Sequence, residues 1–132
     1  IVFTSSVQTT HRLTRLLQLY GVVATGVTEF SASLSQGRRT RMLERVRSGE
    51  VSVMVCSDAA ARGLDLPTVE AVVQYDAPTH VKTYVHRVGR TARAGRGGVT
   101  YTLCEPQQVR HFKGLLKRID NSYVRQETVP TA

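Results

Sequence analysis

Arg87, Arg90, Arg93 and Arg96 recur at intervals of three in the run YVHRVGRTARAGR, residues 84–96, with no acidic residue among them. A guanidinium is charged at any physiological pH, planar and weakly hydrated, and it matches phosphate oxygens two bonds at a time. Four such groups without counter-charges repel one another unless an anion joins them. A solvated basic face is the plain alternative on spacing alone. The glycines argue against that alternative. Gly89 falls inside a helical run, where glycine costs about 1 kcal/mol relative to alanine. Gly95, Gly97 and Gly98 punctuate the end of the arginine run.

The other half of a phosphate chemistry is missing. No G-x-x-x-x-G-K-[ST] loop occurs. Asp58 and Asp65 stand seven residues apart with Arg62 between them, a poor magnesium site. The chain therefore cannot by itself cradle and hydrolyse a nucleoside triphosphate. Its arginines are still of the type that stabilise phosphoryl-transfer charge from across an interface, so the pattern reads as half of an active site. Cys56 and Cys104 lie in the apolar runs VSVMVCS and VTYTLC. They read as buried free thiols of a reducing compartment, and two cysteines without a C-x-x-C pair make zinc a poor fit.

The elements that must hold these residues can be read from periodicity. The 132 residues suit one domain, and the net charge of +8, carried by 15 arginines and 3 lysines, points to a polyanionic partner. No apolar stretch nears the ~18 residues of a membrane span. The first residues, Ile1-Val2-Phe3, already have a strand pattern, and we take the sequence as a piece of something longer. Strands are expected at residues 1–6, 25–30, 51–56, 69–75 and 99–103, and helices at 8–20, 33–47, 79–89 and 106–119. Ser35 suits an N-cap and Pro106 a first helical position. Residues 57–65 read as a polar turn with a short helix. Tyr20 and Phe112 read as core; His11, His80 and His111 read as surface. Residues 1–119 form the domain, and 120–132 lose periodicity and read as a fraying tail. Alternating strands and helices predict an α/β sandwich, with helices on both faces of a mainly parallel sheet. Ligands of such sheets gather beyond the carboxyl ends of the strands, where the segments 4–6, 57–65 and the arginine run are all expected.

Five ordered segments then match one family. IVFTSS resembles motif IV of the DEAD-box ATP-dependent RNA helicases of superfamily 2. Gln36-Gly37-Arg38-Arg39 is similar to their Q-x-x-R element, SDAAARGLD to T-D-x-x-A-R-G-x-D, VVQYDAP to V-I-N-Y-D-x-P, and HRVGRTAR to H-R-x-G-R-x-x-R. His86 heads the last motif where related DExH helicases usually carry Gln. The resemblance covers residues 1–119 and implies the second, C-terminal RecA-like domain. It implies arginine fingers at Arg90 and Arg93 for the γ-phosphate of ATP. It places Gly63 and Asp65 at the nucleotide ribose, and Ser6, Gln36, Arg39, Ser57 and Asp58 along an RNA backbone. Arg62, His86 and Arg87 would couple this domain to its neighbour. RNA and the N-terminal RecA-like domain would be the partners, with protein cofactors besides, and Mg2+ would be held mainly by that N-terminal domain. No membrane is involved, and the isolated domain would be an inactive monomer.

Each residue alone has a plainer reading. Asp65 before Leu66-Pro67 suits a turn, Ser57-Asp58 a helix cap, and Gln36 and Arg39 an exposed helix face. A phosphate clamp without catalysis and an interaction scaffold are the competing functions. Two departures stand out. Ser57 replaces the family's Thr and keeps the hydroxyl. Ser31-Ala32 replace a common His-Gly and remove an imidazole. Phe30-Ser31-Ala32 and the Thr91-Ala92-Arg93 form of the last motif are similar to a nucleolar subgroup acting in large ribosomal subunit assembly.

Overall fold

The computed structural model describes residues 1–21, 23, 25–63, 69–121 and 123–130. Strands and helices alternate along the chain: β1 (Val2–Thr4), α1 (Val7–Tyr20), β2 (Val27–Phe30), α2 (Gln36–Arg47), β3 (Val53–Ser57), α3 (Asp58–Ala61), β4 (Ala71–Gln74), α4 (Val81–Val88), β5 (Val99–Thr102) and α5 (Pro106–Arg118). All strand pairs are parallel, in the order β2-β3-β1-β4-β5. The first strand in sequence is thus the middle of the sheet. It pairs Phe3 with Cys56 on one side and with Gln74 on the other. This is the RecA-like α/β arrangement, and the β-branched, unalternating runs of β1 and β3 suit strands covered on two faces.

On one face Phe3, Phe30, Met54, Cys56 and Val72 pack with Ala60 and Ala61 of α3 and with Met42, Leu43 and Val46 of α2. Further along that face α4 and α5 join through Tyr84, Phe112, Leu115 and Leu116, with Cys104 against them. The Tyr84 and Phe112 rings meet edge to face at 5.9 Å. The other face carries α1, whose Leu13 packs on Val27 and Val55. Its cover thins across the sheet: Val55 is buried, its neighbours Val2 and Val73 are half-buried, and Tyr101 is 54% exposed.

Tyr20 does not join the core; it is 74% exposed, and Leu16 of the same expected stripe is 49% exposed. The reason is a threonine ladder. Buried Thr10 shares a 2.6 Å hydrogen bond with the hydroxyl of Thr4 and donates to the Ser6 carbonyl at 2.8 Å. Buried Thr14 donates to the Thr10 carbonyl at 2.8 Å. With their hydroxyls satisfied in this way, small threonines sit under the sheet, and the helix turns its C-terminal leucine and tyrosine outward. Phe112 is core as expected, and Cys56 is buried while Cys104 is only half-buried. Ser35 holds the N-cap position of α2 without a side-chain bond, and Pro106 opens α5. Asn121, within the expected tail, donates to the Tyr84 hydroxyl at 3.2 Å, so the domain's contacts run two residues past 119. Residues 123–130 carry no helix or strand.

Candidate functional site

A parallel sheet delivers the residues after β1, β3 and β4 to one edge, and a buried arginine ties them together there. Arg87, in the last turn of α4, is 2% exposed. Its Nε and Nη2 donate to the two carboxylate oxygens of Asp58, each at 2.8 Å. Its Nη1 donates to the carbonyl of Asp76 at 2.6 Å, and its guanidinium lies 5.4 Å from the Phe3 ring centre. Asp76 in turn accepts from the Ser5 backbone N–H at 2.6 Å. One side chain therefore clamps the starts of three separate turns. A buried guanidinium is tolerable only when its donors are filled in this way.

The clamp decides what the neighbouring residues can do. Each Asp58 oxygen accepts one bond from Arg87. Ser57 is buried and accepts from the Ala60 N–H at 3.4 Å, the N-cap bond of α3. Ser6 is exposed and caps α1 by accepting from the Thr9 N–H at 3.0 Å. Gln36 is exposed at the start of α2. Arg39, one turn on and half-buried, lies 5.2 Å from the Phe30 ring centre, and its Nε is buried without a hydrogen-bond partner.

The arginine run leaves that edge, contrary to expectation. α4 starts beyond the carboxyl end of β4 and runs back, so Thr91 pairs with Val69, ahead of the first residue of β4. The Val69 N–H donates to the Arg90 carbonyl at 3.3 Å, and the Thr91 hydroxyl donates to the Val69 carbonyl at 2.5 Å. Beyond it the backbone doubles back through left-handed Ala92, Ala94 and Gly95, at φ 54°, 55° and 77°. A Cβ on Gly98 would come within 2.1 Å of the Thr91 hydroxyl, so only glycine fits this crossing. The three-residue spacing thus marks no common helix face. Arg87 points into the core, Arg90 is half-buried, and Arg93 and Arg96 are exposed.

His86 and Arg90 touch. An Arg90 Nη2 hydrogen bond of 2.5 Å runs to His86 Nε2, and since arginine only donates, that nitrogen is the acceptor of a neutral ring. Burial and the Arg90 charge both push the His86 pKa below its ordinary value. Burial, then neighbouring Arg93, lowers that of Arg90. Arg93 donates from Nε to the Gly89 carbonyl and stays exposed. Arg62 and Gly63 come directly after α3, both exposed, Gly63 at φ 71°, which glycine adopts without strain. Asp65 lies outside the described residues. The geometry brings Arg90, Arg93 and His86 together, with Asp58 and Arg62 near enough for their charges to act on the His86 ring, and joins Asp58 to Arg87. Sequence reasoning gives Asp76 and Ser5 no role of their own, although each lies in a motif-like segment, VVQYDAP and IVFTSS. Among the described residues no group of three His, Cys, Asp or Glu side chains could hold a metal ion.

Comparison with known proteins agrees with the fold and the motifs. The pattern of the helicase conserved C-terminal domain family matches residues 1–95. DEAD-box ATP-dependent RNA helicase 1 of Arabidopsis thaliana is 44% identical over 119 residues, which are 90% of this chain and 23% of that protein. The human ATP-dependent RNA helicase DDX51 is 45% identical over 116 residues, 88% of this chain and 17% of that one. Domain 2 of the DEAD-box helicase Mss116p, solved bound to an RNA duplex, superposes with a TM-score of 0.87 at 28% identity, over 99% of this chain and 51% of that one. The E. coli DEAD-box protein SrmB, solved bound to the regulator RraA, gives 0.81 at 34% identity over 89% of this chain and 67% of that one. The chain spans about a fifth of the curated relatives' length.

Proposed function

The chain belongs to the helicase conserved C-terminal domain family, in its DEAD-box form, and from that premise we propose that it is the second half of an ATP-dependent RNA helicase. ATP would be held by an N-terminal RecA-like domain, and closure of the two domains would bring Arg90 and Arg93 onto the γ-phosphate. Their charge would offset the negative charge spread over the equatorial phosphoryl oxygens, an effect worth about 10³-fold or more in comparable enzymes. Magnesium, which would offset phosphate charge, would be carried by the partner domain.

The observation that carries this reading is the placement of Arg93. It is exposed at the end of a crossover, beside Arg90, in a loop whose left-handed residues fix its path. A structural arginine would look like Arg87. Gly63 and Arg62 lie on the loop after α3, where a nucleotide ribose and an interdomain contact are proposed, with Asp65 next to them in sequence. His86 would couple nucleotide state to the neighbouring domain by holding or releasing Arg90, and Arg87 would act from inside, as the clamp. Ser6, Gln36 and Arg39 would face RNA phosphates, the last through the outer end of its guanidinium, with Ser57 and Asp58 alongside the same RNA backbone. Such contacts read phosphate and sugar rather than base. Likeness to the nucleolar subgroup extends the proposal to a nucleolar site of action in ribosome assembly.

The test is RNA-stimulated ATP turnover by the longer protein, wild type against Arg93→Ala. A fall near 10³-fold is expected. Equal rates would end the proposal. The domain alone should turn over no ATP.

A further inference from the structure

We propose that Thr91 is a positioning residue for ATP hydrolysis: its hydroxyl pins the neck of the loop that carries Arg93. The proposal rests on the reading of Arg90 and Arg93 as the groups that meet the γ-phosphate. The loop, residues 92–98, lies between the end of α4 and the start of β5. Thr91 is buried. Its hydroxyl lies 2.5 Å from the Val69 carbonyl and 3.1 Å from the Glu70 carbonyl, and since a hydroxyl has one hydrogen the two oxygens share it. The Val99 N–H donates to the same Glu70 carbonyl at 3.0 Å. Both ends of the loop therefore meet at one carbonyl on the lead-in to β4. The Val69 N–H, donating to the Arg90 carbonyl at 3.3 Å, fastens the neck a second time.

The neck is tight enough to dictate the path of the loop. A Cβ on Gly98 would lie 2.1 Å from the Thr91 hydroxyl and 2.6 Å from the Ala92 nitrogen. Ala92 and Ala94, on either side of Arg93, both take left-handed backbone. Alanine holds that conformation only where its surroundings impose it, and such residues gather at functional sites. Closure at the neck is what imposes it here: the chain must leave Thr91, turn and return to Glu70 by Val99. Arg93 thus emerges from a fixed path, with its Nε donating to the Gly89 carbonyl. An arginine that acts on a phosphoryl group held by another domain needs such a path, because a misplacement of about 1 Å can cost about 10²-fold in rate.

A Thr91 that serves the fold alone is the competing reading. Thr10 and Thr14 are buried threonines of that kind, with hydroxyls that bond within α1 and to β1. Thr91 differs in what it holds. It stands next to Arg90 and two residues before Arg93, and its hydroxyl bonds to carbonyls of another segment, one of which also receives the far end of the arginine loop. Loss of that hydroxyl would open the neck while leaving every arginine in the chain.

The experiment takes two readings. In the full chain, amide hydrogen exchange follows the Val69 N–H, with the Val73 N–H, which donates to the Ile1 carbonyl at 2.8 Å, as internal reference. In the longer protein, RNA-stimulated ATP turnover gives kcat and the KM for ATP. Wild type is compared with Thr91→Val, which removes the hydroxyl at nearly the same shape, Thr91→Ser, which keeps it, Gly98→Ala, which pushes on it from the other side, and Arg93→Ala. Each is checked for native circular dichroism, and Gly98→Ala carries the test if Thr91→Val does not fold. Thr91→Val is expected to speed exchange at Val69 about 10-fold relative to Val73. It should lower kcat about 10-fold and leave KM within about 2-fold, the pattern of a loss felt in the transition state. Gly98→Ala should do the same, and Thr91→Ser should restore both readings. The fall is smaller than for Arg93→Ala because the guanidinium remains. The proposal is overturned if Thr91→Val and Gly98→Ala turn over ATP as wild type does while Arg93→Ala is slow, if KM rises without a fall in kcat, if Val69 exchange does not change, or if Thr91→Ser is as slow as Thr91→Val. Wild-type turnover by Arg93→Ala would overturn the finger reading, and this proposal with it.

Discussion

Replacing Arg87 with alanine should be the most damaging single change in the domain outside its apolar core. The side chain is almost wholly buried, fills Asp58 with two hydrogen bonds and the Asp76 carbonyl with a third, and covers the Phe3 ring. Breaking a buried ion pair by removing one partner costs about 3–5 kcal/mol. The Asp58 side chain is 29% exposed and can regain water, which moves the expectation to the lower end, about 3 kcal/mol. Domains hold only about 5–15 kcal/mol in all, and for this size each kcal/mol is worth roughly 4 °C of Tm, so a loss of roughly 12 °C is expected. Urea unfolding followed by circular dichroism measures it directly. Arg87→Lys should recover less than half, because an ammonium cannot match both carboxylate oxygens. In a double-mutant cycle with Asp58→Ala, the coupling should exceed about 1.5 kcal/mol, within the range for residues in contact. A loss under about 1 kcal/mol for Arg87→Ala, or a coupling near zero, would refute the clamp.

The same geometry sets four further outcomes. The neutral state of His86 is favoured on folding, so its contribution is full above the ordinary histidine pKa of about 6.5 and declines as pH falls below it; Tm should drop between pH 7.5 and 5.5 more in wild type than in His86→Gln. Cys56, its pKa pushed up to about 12 chiefly by burial, should resist a thiol reagent at pH 8 in the folded state and react at once in urea. Gly98→Ala should destabilise by about 1–3 kcal/mol, as expected of overpacking, because its methyl would strike Thr91 and the Ala92 backbone; a Tm equal to wild type would contradict the crossing. Ala92→Gly removes a left-handed alanine that costs about 1–2 kcal/mol, offset by the freedom glycine gains on unfolding, so a small rise in stability or none is expected, and a fall beyond 1 kcal/mol would contradict the φ of 54°.

The layer order was legible because β-branched runs and leucine periodicity respond to local physics. What escaped is what depends on distant partners. Nothing in the sequence near Asp58 says that an arginine 29 positions later will take both its oxygens. That bond makes Asp58 a latch, beside Ser57, which caps α3. The arginine interval of three suggests one face, yet α4 ends at Val88 and the later arginines lie on a doubled-back loop. Thr10 and Thr14 do not read as core because polarity suggests exposure, while short local hydrogen bonds make burial cheap for them.

The position of β1 has a consequence for how the molecule is made. Its three residues lead the sequence, but their hydrogen-bonding neighbours are residues 55–57 and 73–74. No two strands in the described chain are joined by a tight turn, so the sheet cannot grow by hairpins as synthesis proceeds. A nascent chain leaving the ribosome must expose Val2 and Phe3 until β3 and then β4 have followed. Such long-range closure slows folding, and during that wait β1 is a segment a chaperone would have reason to hold.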